Sequence, residues 1–365
     1  MSRFIFECAS QEDGQELLDI LEDSEFQGRI SLLYTRRPDA YRSFKREGEQ
    51  VDIVVCRDTQ QGKIVGFGAC TRRKLYVNGS PATVGYLFGL RLRREYRKKF
   101  PLLHQGYNFL HTLHQSQEIA FYITTIFEEN RYTRKLLEKQ RPYMPAYIPY
   151  GSYHVYALKP GRKTQKTTRI RQAQQGDIPT LVQFLKEHGR TGQFFPVIEE
   201  KNLREGRFTH LKVEDFYLLC DDRHTILAAG AIWDQRSYKQ YIVQGYSGVL
   251  KHLYPLSRFF PVVGFPALPK PRGVLKFFTL AFLTVKENDP AIFQEFLNAI
   301  SAVAPPYPFF LIGMHERHPL HEILQKRPHI SHTSRLYMVA WDEEQHDNVD
   351  KLDATRYPYL ECSLL

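Results

Sequence analysis

The chain contains an internal repeat, and this feature constrains its fold more than any other. The segment FECASQEDGQELLDIL (6–21) matches IRQAQQGDIPTLVQFL (170–185) at a constant offset of 170 − 6 = 164 residues, which places Asp13 on Asp177. Each segment has the pattern of a short strand followed by an amphipathic helix. Because a fixed offset between similar segments is typical of a duplicated structural unit, the sequence predicts two copies of one fold.

Further matches follow in the same order in both halves. DIVVCRD (52–58) matches FYLLCDD (216–222) at the same offset, and IVGFGAC (64–70) matches ILAAGAI (226–232) at an offset of 162. A shorter hairpin turn in the second half accounts for the change of offset. The first half is predicted to contain a strand at 4–8, two helices, three antiparallel strands, a helix, a strand, a helix and a strand, and the second half repeats most of this order, with one irregular strand over 225–243. Ser10 and Asp13 resemble a capping box before the first helix, and Asp289 with Pro290 predicts the start of a helix at 289–302.

The length of 365 residues exceeds what one hydrophobic core usually serves. We therefore expect a first domain over residues 1–160 and a second over residues 168–342. Residues 161–167 are the expected linker, because the stretch around them is polar, basic and without an apolar period. The last residues, 343–365, end in an aromatic and apolar run, so we expect this tail to pack back on the protein.

Composition narrows the class of protein and of ligand. Forty-two per cent hydrophobic residues are enough for packed cores and exclude a disordered chain. The net charge of +10 suggests an anionic ligand or surface, whether phosphate groups, nucleic acid or membrane, with a role in solubility as the alternative. The five cysteines include no C-x-x-C pair, so they indicate neither a zinc ribbon nor a disulfide framework.

The chain has no pattern of a secretory or membrane-spanning segment. Acidic residues arrive early at the N-terminus, and the longest apolar stretch (274–285) is short and contains Lys276. We therefore expect a soluble cytoplasmic protein without a membrane partner, for which nucleic acid is not the favoured ligand. The sequence leaves the oligomeric state open.

Two segments of the first half carry a resemblance to a known family. YLFGLRLRREYRKK (86–99) precedes a predicted helix, and FYITTIFEENRYTRKLLEK (121–139) follows it. Together with the element order, these segments resemble the GNAT family of acyl-CoA N-acyltransferases. The resemblance implies an α/β fold of the α+β type with a mixed sheet in two tandem GNAT-like domains, and acyl-CoA, most simply acetyl-CoA, as co-substrate.

The resemblance also implies where the cofactor phosphates bind. In the family, an Arg or Gln leads a glycine-rich turn whose N–H groups and following helix N-terminus hold the pyrophosphate. Here Arg97 occupies the leading position, whereas Phe100 and Leu102 occupy the two glycine positions. We expect the side chains of Arg97, Lys98 and Lys99 to bind the phosphates instead, with a solvated basic surface as the alternative.

Other contacts to the cofactor follow from the same resemblance. The full set of expected cofactor-binding residues is Leu90, Leu92, Arg97, Lys98, Lys99 and Asn130. Gly89 is a plausible bulge in the strand, from which a main-chain N–H would polarise the thioester carbonyl. Asn130 is equally well placed to cap the next helix. Leu137 stands where the family commonly has a Tyr as general acid, and no carboxylate or histidine is singled out as a base.

Two further patterns are weaker. The histidines His315, His318 and His321 recur every three residues, but no acidic or cysteine partner has the spacing to complete a metal site, so we expect none. The second half lacks a basic loop after the strand at 274–286, so we expect it to be structural or to bind something else.

Three functional hypotheses remain from the sequence. The first is transfer of an acetyl group from acetyl-CoA to a small-molecule or peptide amine. The second is an aminoacyl-tRNA-dependent transferase that resembles the Fem enzymes, which the basic charge and the missing glycine loop favour and the absence of a long basic helical arm disfavours. The third is a non-catalytic module that binds a ligand or partner. Fold alone does not decide among them.

Overall fold

The computed structural model describes residues 3–23, 25–26, 30–97, 100–161, 169–263, 268–304 and 307–365. The strands are β1 Phe4–Cys8, β2 Glu25–Phe26, β3 Ile30–Thr35, β4 Gln50–Asp58, β5 Lys63–Val77, β6 Ser80–Leu92, β7 Tyr122–Phe127, β8 Ala146–Leu158, β9 Ile170–Gln172, β10 Phe216–Cys220, β11 Ile226–Trp233, β12 Gln240–Tyr246, β13 Phe277–Val285, β14 Phe309–His315 and β15 His329–Ala340. The helices are α1 Gly14–Glu22, α2 Ala40–Lys45, α3 Phe100–His114, α4 Arg131–Glu138, α5 Ile178–Gly189, α6 Glu200–Arg204, α7 Gly248–Leu253, α8 Pro290–Val303, α9 His321–Gln325 and α10 Glu343–Asp350.

The two halves share one sheet of twelve strands in the order β1-β4-β5-β6-β7-β15-β8-β14-β13-β11-β10-β9. The final strands of the halves are exchanged. β15, which ends the second half, pairs with β7 of the first half, while β8 pairs with both β15 and β14. Each half is therefore completed by a strand of the other, and the sheet is continuous from one end of the molecule to the other.

A second, small sheet also joins the halves. β12 pairs with β3 over Gln240–Thr35 to Tyr246–Ile30, and β3 pairs with β2. The sequence pattern predicted one irregular strand over residues 225–243. The structure divides that stretch into β11, which lies in the large sheet, and β12, which leaves it.

The helices cover both faces of the sheet because each has one apolar face. In the first half, α1 and α2 pack on one face through a buried cluster that contains Leu17, Leu21 and Phe44. On the other face, α3 and α4 contribute Leu103 and Leu137 to a separate buried cluster. Each such buried side chain stabilises the fold by roughly 1.5–3 kcal/mol.

Local signals for two helix starts are confirmed. Ser10 and Asp13 form the expected capping box before α1. Asp289 accepts hydrogen bonds from the N–H groups of Ala291 and Ile292 at the start of α8, where Pro290 occupies a position that needs no donor.

Residues after β15 lie against both halves. In this segment Leu352, Leu360 and Leu364 are buried. The expected linker falls almost entirely on residues 162–168, which lie outside the described residues. No helix among the described residues combines the length and apolar character needed to cross a bilayer.

Candidate functional site

A slot opens in the large sheet of the first half, between the parallel strands β6 and β7. The strands are joined by only two residue pairs, Gly85–Tyr122 and Tyr86–Ile123, although both continue for several residues beyond them. At the apex, the Thr124 hydroxyl donates a hydrogen bond of 2.7 Å to the carbonyl oxygen of Leu87. We call the gap beyond this bond the first slot; strands that diverge in this way leave main-chain groups to pair with an inserted ligand.

A β-bulge in β6 lies beside the first slot. The register with β5 shifts between Phe67 and Ala69, and Gly89 adopts a φ of +71°, as the sequence pattern predicted. A Cβ atom at Gly89 would contact the rings of Phe67 and Phe44 at 3.4 and 3.5 Å. The positive φ makes glycine the favoured residue here, because residues with a Cβ atom are strained in this conformation.

Two of the expected cofactor residues, Leu90 and Leu92, lie on β6 between the bulge and the end of the strand. Leu90, just after the bulge, is 39% exposed. Leu92 packs against a buried cluster that includes Tyr96 and Leu102. The exposed Arg97 donates from its Nε to the carbonyl oxygen of Leu92 at 3.2 Å, which holds it at the end of the strand.

The loop that replaces the family's glycine turn is described in part. Lys98 and Lys99 lie outside the described residues, as does the side chain of Phe100. Leu102 is 4% exposed, and the cluster it joins also contains Cys56 and Val65 on β4 and β5. The side chain of Leu102 therefore packs between α3 and those two strands.

Asn130 begins α4 and acts there as the N-cap. Its side-chain oxygen accepts from the N–H of Thr133 at 3.2 Å, which confirms that Asn130 caps the helix. Leu137, in the position of the family's Tyr, is buried in the core between α3, α4 and the sheet. Tyr132, on another face of the same helix, is 66% exposed.

The second half contains an equivalent slot, between β13 and β14. These parallel strands pair only from Phe277–Phe309 to Thr279–Leu311 and then diverge. The register between β11 and β13 shifts at the same relative place as in the first half, and Phe282 adopts a φ of +52° there. Phe282 thus occupies the position in β13 that Gly89 occupies in β6. We call this gap the second slot.

Residues 357–362 of the same chain fill the second slot. The Phe282 N–H donates to the Glu361 carboxylate at 2.6 Å, and a Cβ atom at Gly313 on β14 would lie 2.7 Å from that of Cys362. The segment is held from outside by Gln193, whose main chain exchanges hydrogen bonds with Tyr357 and Tyr359. A small cavity of about 20 Å³ lies beside it.

The hydrogen bond in the second slot indicates which way the equivalent main-chain N–H points in the first slot. Phe282 and Gly89 lie at equivalent bulges in equivalent strands, and the N–H of Phe282 donates into its slot. From this equivalence we expect the N–H of Gly89 to face the first slot. The sequence predicted a main-chain donor on this strand without choosing a residue, and the equivalence of the two bulges points to Gly89.

A buried charge cluster, missed from the sequence, lies one aromatic layer from Gly89. It consists of Arg36, Glu47, Arg73 and Lys239, of which Arg36, Glu47 and Lys239 are almost fully buried. Glu47 lies 2.5 Å from Arg36, 3.6 Å from Lys239 and 3.9 Å from Arg73. The Arg36 guanidinium also lies 4.3 Å from the ring centroid of Phe44, which connects the cluster to the bulge.

The cluster holds three cations and one carboxylate. Burial opposes the ionisation of Glu47, but Lys239, Arg36 and Arg73 hold the pKa of its carboxyl group below the usual value. Burial also lowers the pKa of Lys239, and Glu47 only partly opposes this. Main-chain oxygens of Leu364 and Leu365 accept hydrogen bonds from Arg73 and Lys239. By formal charge, the four side chains of the cluster therefore carry more positive than negative charge.

The exchanged strand places a buried tyrosine beside β7. Tyr337 on β15 pairs with Thr124 on β7, and its buried hydroxyl donates to Glu138 at 2.5 Å and accepts from Arg134 at 3.3 Å. Burial raises the pKa of Tyr337 to about 12, so the phenol stays protonated at neutral pH. The sequence does not indicate that Tyr337 lies beside β7, because this residue belongs to the other half of the repeat.

The three spaced histidines lie apart from the first slot and have protein partners. His315 bonds the carbonyl oxygen of Tyr150 at 2.8 Å, His321 bonds the hydroxyl of Tyr156 at 2.8 Å, and His318 accepts from the N–H of Leu320. No group of three potential metal ligands occurs in the part of the chain that the structure describes. Their contacts are those of buried structural histidines.

No family model matches the sequence, and no curated protein matches it. The fold nevertheless resembles solved structures. Saccharomyces cerevisiae N-myristoyltransferase with bound myristoyl-CoA aligns with a TM-score of 0.60 at 10% identity, covering 94% of this chain and 80% of that one. A GCN5-related N-acetyltransferase from Anabaena variabilis aligns with a TM-score of 0.52 at 13% identity, covering 92% and 72%. A probable N-acyltransferase from Enterococcus faecalis gives 0.50 at 10% identity, covering 93% and 72%.

These likenesses identify the architecture. The chain has a mixed α/β fold with two tandem GNAT-like units, and the fold class predicted from the sequence is confirmed. The divergent strands and the bulge are the local features of that fold which can receive a ligand. What the ligand is must be argued from the residues of this chain.

Proposed function

We propose that the protein is an acyl-CoA-dependent N-acyltransferase with a single acyl-CoA site in the first slot. The observation that carries the proposal is the contrast between the slots. In the second slot the bulge N–H of Phe282 meets the Glu361 carboxylate of the chain itself. In the first slot we expect the equivalent N–H of Gly89 to donate to the carbonyl oxygen of a thioester, where it would stabilise the negative charge that develops during acyl transfer.

The expected cofactor residues fit this placement. Leu90 and Leu92 follow the bulge along β6 and would border the pantetheine arm, and Arg97 lies at the end of the strand, where the phosphates would lie. Lys98 and Lys99 complete the proposed phosphate site, and Asn130 borders the arm from the start of α4. The structures of S. cerevisiae N-myristoyltransferase with bound myristoyl-CoA support an acyl-CoA ligand in this fold.

We propose acetyl-CoA as the donor because the space beyond the bulge is filled. The rings of Phe44 and Phe67 lie in van der Waals contact with the position of a Gly89 Cβ, and both are buried. A long acyl chain that left the bulge in this direction would have to displace this aromatic layer, since protein interiors have few voids. A short acyl group does not reach it.

The acceptor is proposed to be a small-molecule or peptide amine that attacks as the neutral base. A bond forms between the amine nitrogen and the thioester carbon, the carbon–sulfur bond breaks, and CoA leaves as its thiolate; the proton lost by the nitrogen balances that thiolate, so the products are the amide and the free thiol of CoA. The excess positive charge of Arg36, Arg73 and Lys239 disfavours the protonated form of an amine nearby. The charge cluster thus favours the reactive form of the acceptor.

Thermal unfolding with acetyl-CoA tests the site, using a matched pair of variants. Leu90 is 39% exposed at the first slot, and Ile5 is 38% exposed on the edge strand β1. Leu90→Asp places a negative charge beside the proposed cofactor arm, and Ile5→Asp makes the same change elsewhere. A ligand at about 100 times its Kd stabilises the native state by roughly 2.7 kcal/mol.

We expect acetyl-CoA to raise the melting temperature of the wild type and of Ile5→Asp, but not that of Leu90→Asp. Myristoyl-CoA should stabilise the wild type less than acetyl-CoA does. No stabilisation of the wild type at millimolar acetyl-CoA contradicts the proposed site. Equal stabilisation of Leu90→Asp and the wild type places the cofactor elsewhere.

A further inference from the structure

An exposed helical segment between β12 and β13 has the character of a membrane-binding surface. It consists of α7 and the 3₁₀ helix Tyr254–Val263, and we call it the arm. Eleven large apolar side chains are exposed among the described residues, and five of them lie on the arm. They are Val249 (73% exposed), Leu253 (36%), Leu256 (55%), Phe259 (54%) and Val262 (73%). Such a concentration of exposed apolar side chains marks an interaction surface.

The charge of this region has one sign. Residues 235–286 contain no Asp or Glu, in a chain that has 40 of them. The exposed cations on the arm and on the chain that follows it are Lys251, Arg258, Lys270, Arg272 and Lys276. Exposed apolar and cationic side chains are therefore interspersed along this stretch of chain without an acidic residue among them.

The arm is fixed to the protein at its base. The ring of Tyr254 stacks on that of Tyr246 at 5.0 Å, and the Tyr246 hydroxyl donates to the carbonyl oxygen of Pro269 at 2.5 Å. Ser257 is buried within the arm. Because β12 is anchored in the small sheet by β3, the apolar side chains are presented from a defined base.

We propose that the arm and the cations beside it bind the surface of an anionic membrane. A peripheral membrane helix places apolar side chains at the boundary of headgroups and acyl chains and its cations among anionic headgroups. The absence of acidic side chains from 235–286 fits a surface of uniform negative charge. A nucleic acid would match the charge but would leave aliphatic side chains such as Val249, Leu256 and Val262 without a partner. This proposal departs from the sequence-based expectation of no membrane partner and does not depend on acyl transfer.

Vesicle co-sedimentation of the full chain tests the proposal. The vesicles contain phosphatidylcholine alone or phosphatidylcholine with phosphatidylserine. We expect binding to the phosphatidylserine vesicles that weakens as salt rises. One cation near an anionic surface contributes about fivefold in affinity, so Lys251→Gln with Arg258→Gln should weaken binding about 25-fold. The matched control, Lys326→Gln with Lys351→Gln, removes two exposed cations far along the chain and should leave binding unchanged.

A second variant tests the apolar contribution. Replacing Val249, Phe259 and Val262 together by Ser should weaken binding by at least about tenfold while the melting temperature stays the same, since all three are exposed. Equal binding to both kinds of vesicle, no binding to either, or full binding by the Ser variant would each overturn the proposal. Retention of the protein by nucleic acid but not by vesicles would also overturn it.

Discussion

Replacing Glu361 tests whether the chain fills its own second slot. This carboxylate is 5% exposed and accepts four hydrogen bonds. The donors are the N–H of Phe282 (2.6 Å), the N–H and hydroxyl of Ser363 (3.0 and 2.6 Å) and the hydroxyl of Tyr359 (2.8 Å). The hydroxyls can rotate towards other acceptors, but the two main-chain donors cannot.

The expected cost of Glu361→Ala follows from those two donors. A buried donor without a partner costs about 1–3 kcal/mol, so two of them destabilise the protein by about 4 kcal/mol. Glu361→Gln keeps an oxygen that can accept from Phe282, so we expect a smaller loss of about 1–2 kcal/mol. A substitution of the exposed Glu322 by Ala should change the free energy of unfolding by less than about 0.5 kcal/mol.

Urea unfolding monitored by tryptophan fluorescence measures these differences. Trp233 is buried and stacks on Phe282 at 6.1 Å, so its emission reports on the second slot. If the free energy of unfolding of Glu361→Ala lay within about 1 kcal/mol of the wild-type value, the Phe282 N–H would have to have another acceptor. The comparison drawn between the two slots would then be wrong.

The pKa of Glu361 predicts how the stability difference between Glu361→Gln and the wild type changes with pH. Burial raises the pKa of Glu361 above its unfolded value, although hydrogen bonds from Ser363 and Phe282 oppose the shift. A raised pKa in the folded state contributes stability that is present below the unfolded pKa and is lost as the pH rises through the folded pKa. Gln does not titrate. The stability difference between Glu361→Gln and the wild type should therefore become smaller as the pH rises from about 4, near the unfolded pKa, through the raised folded pKa.

Three further predictions concern buried positions elsewhere. Gly313→Ala should lower the free energy of unfolding by about 3 kcal/mol or more, because its Cβ would meet the Tyr153 hydroxyl, whereas Gly245→Ala has free space and should be neutral in the same thermal melt. Glu47→Gln should destabilise the protein by about 3 kcal/mol in urea unfolding, because it leaves the buried cations of the cluster without their carboxylate; a neutral result would contradict the ion pairs. Burial lowers the pKa of His318 to about 3, so the unfolded state alone takes up this proton near pH 6, and the wild type should lose about 2 kcal/mol from this group between pH 7 and pH 5. His318→Gln should remove that part of the pH dependence.

Local patterns in the sequence predicted much of the fold. Strand β1 (Phe4–Cys8) has the predicted bounds, the bulge at Gly89 is present, and the caps of α1 and α8 are formed as expected. These features depend on residues close in the sequence, such as an apolar period, a capping acid or a glycine within a strand. The order of the repeat then gave the architecture, because two similar units bury similar faces.

Features that depend on distant residues were missed. β3 was not predicted, because its partner β12 lies about two hundred residues away and its sequence, ISLLYT, does not alternate. Glu361 has the appearance of an ordinary acid near the end of the chain, and nothing local indicates that it meets Phe282. The charge cluster joins residues from four separate stretches. Periodicity carries no information about contacts of this kind.

The exchange of final strands could not be read from sequence for a different reason. SYHVYAL on β8 and SRLYMVA on β15 are similar, so either strand could complete either half. The structure places β15 beside β7, which makes a strand of the second half the outer support of the first slot. A first half separated from β15 would leave the edge of β7 unpaired, and an unpaired edge invites pairing with other chains. The two copies have thus diverged within one sheet: the second fills its slot with chain and supplies a strand, and the slot left for a ligand depends on both.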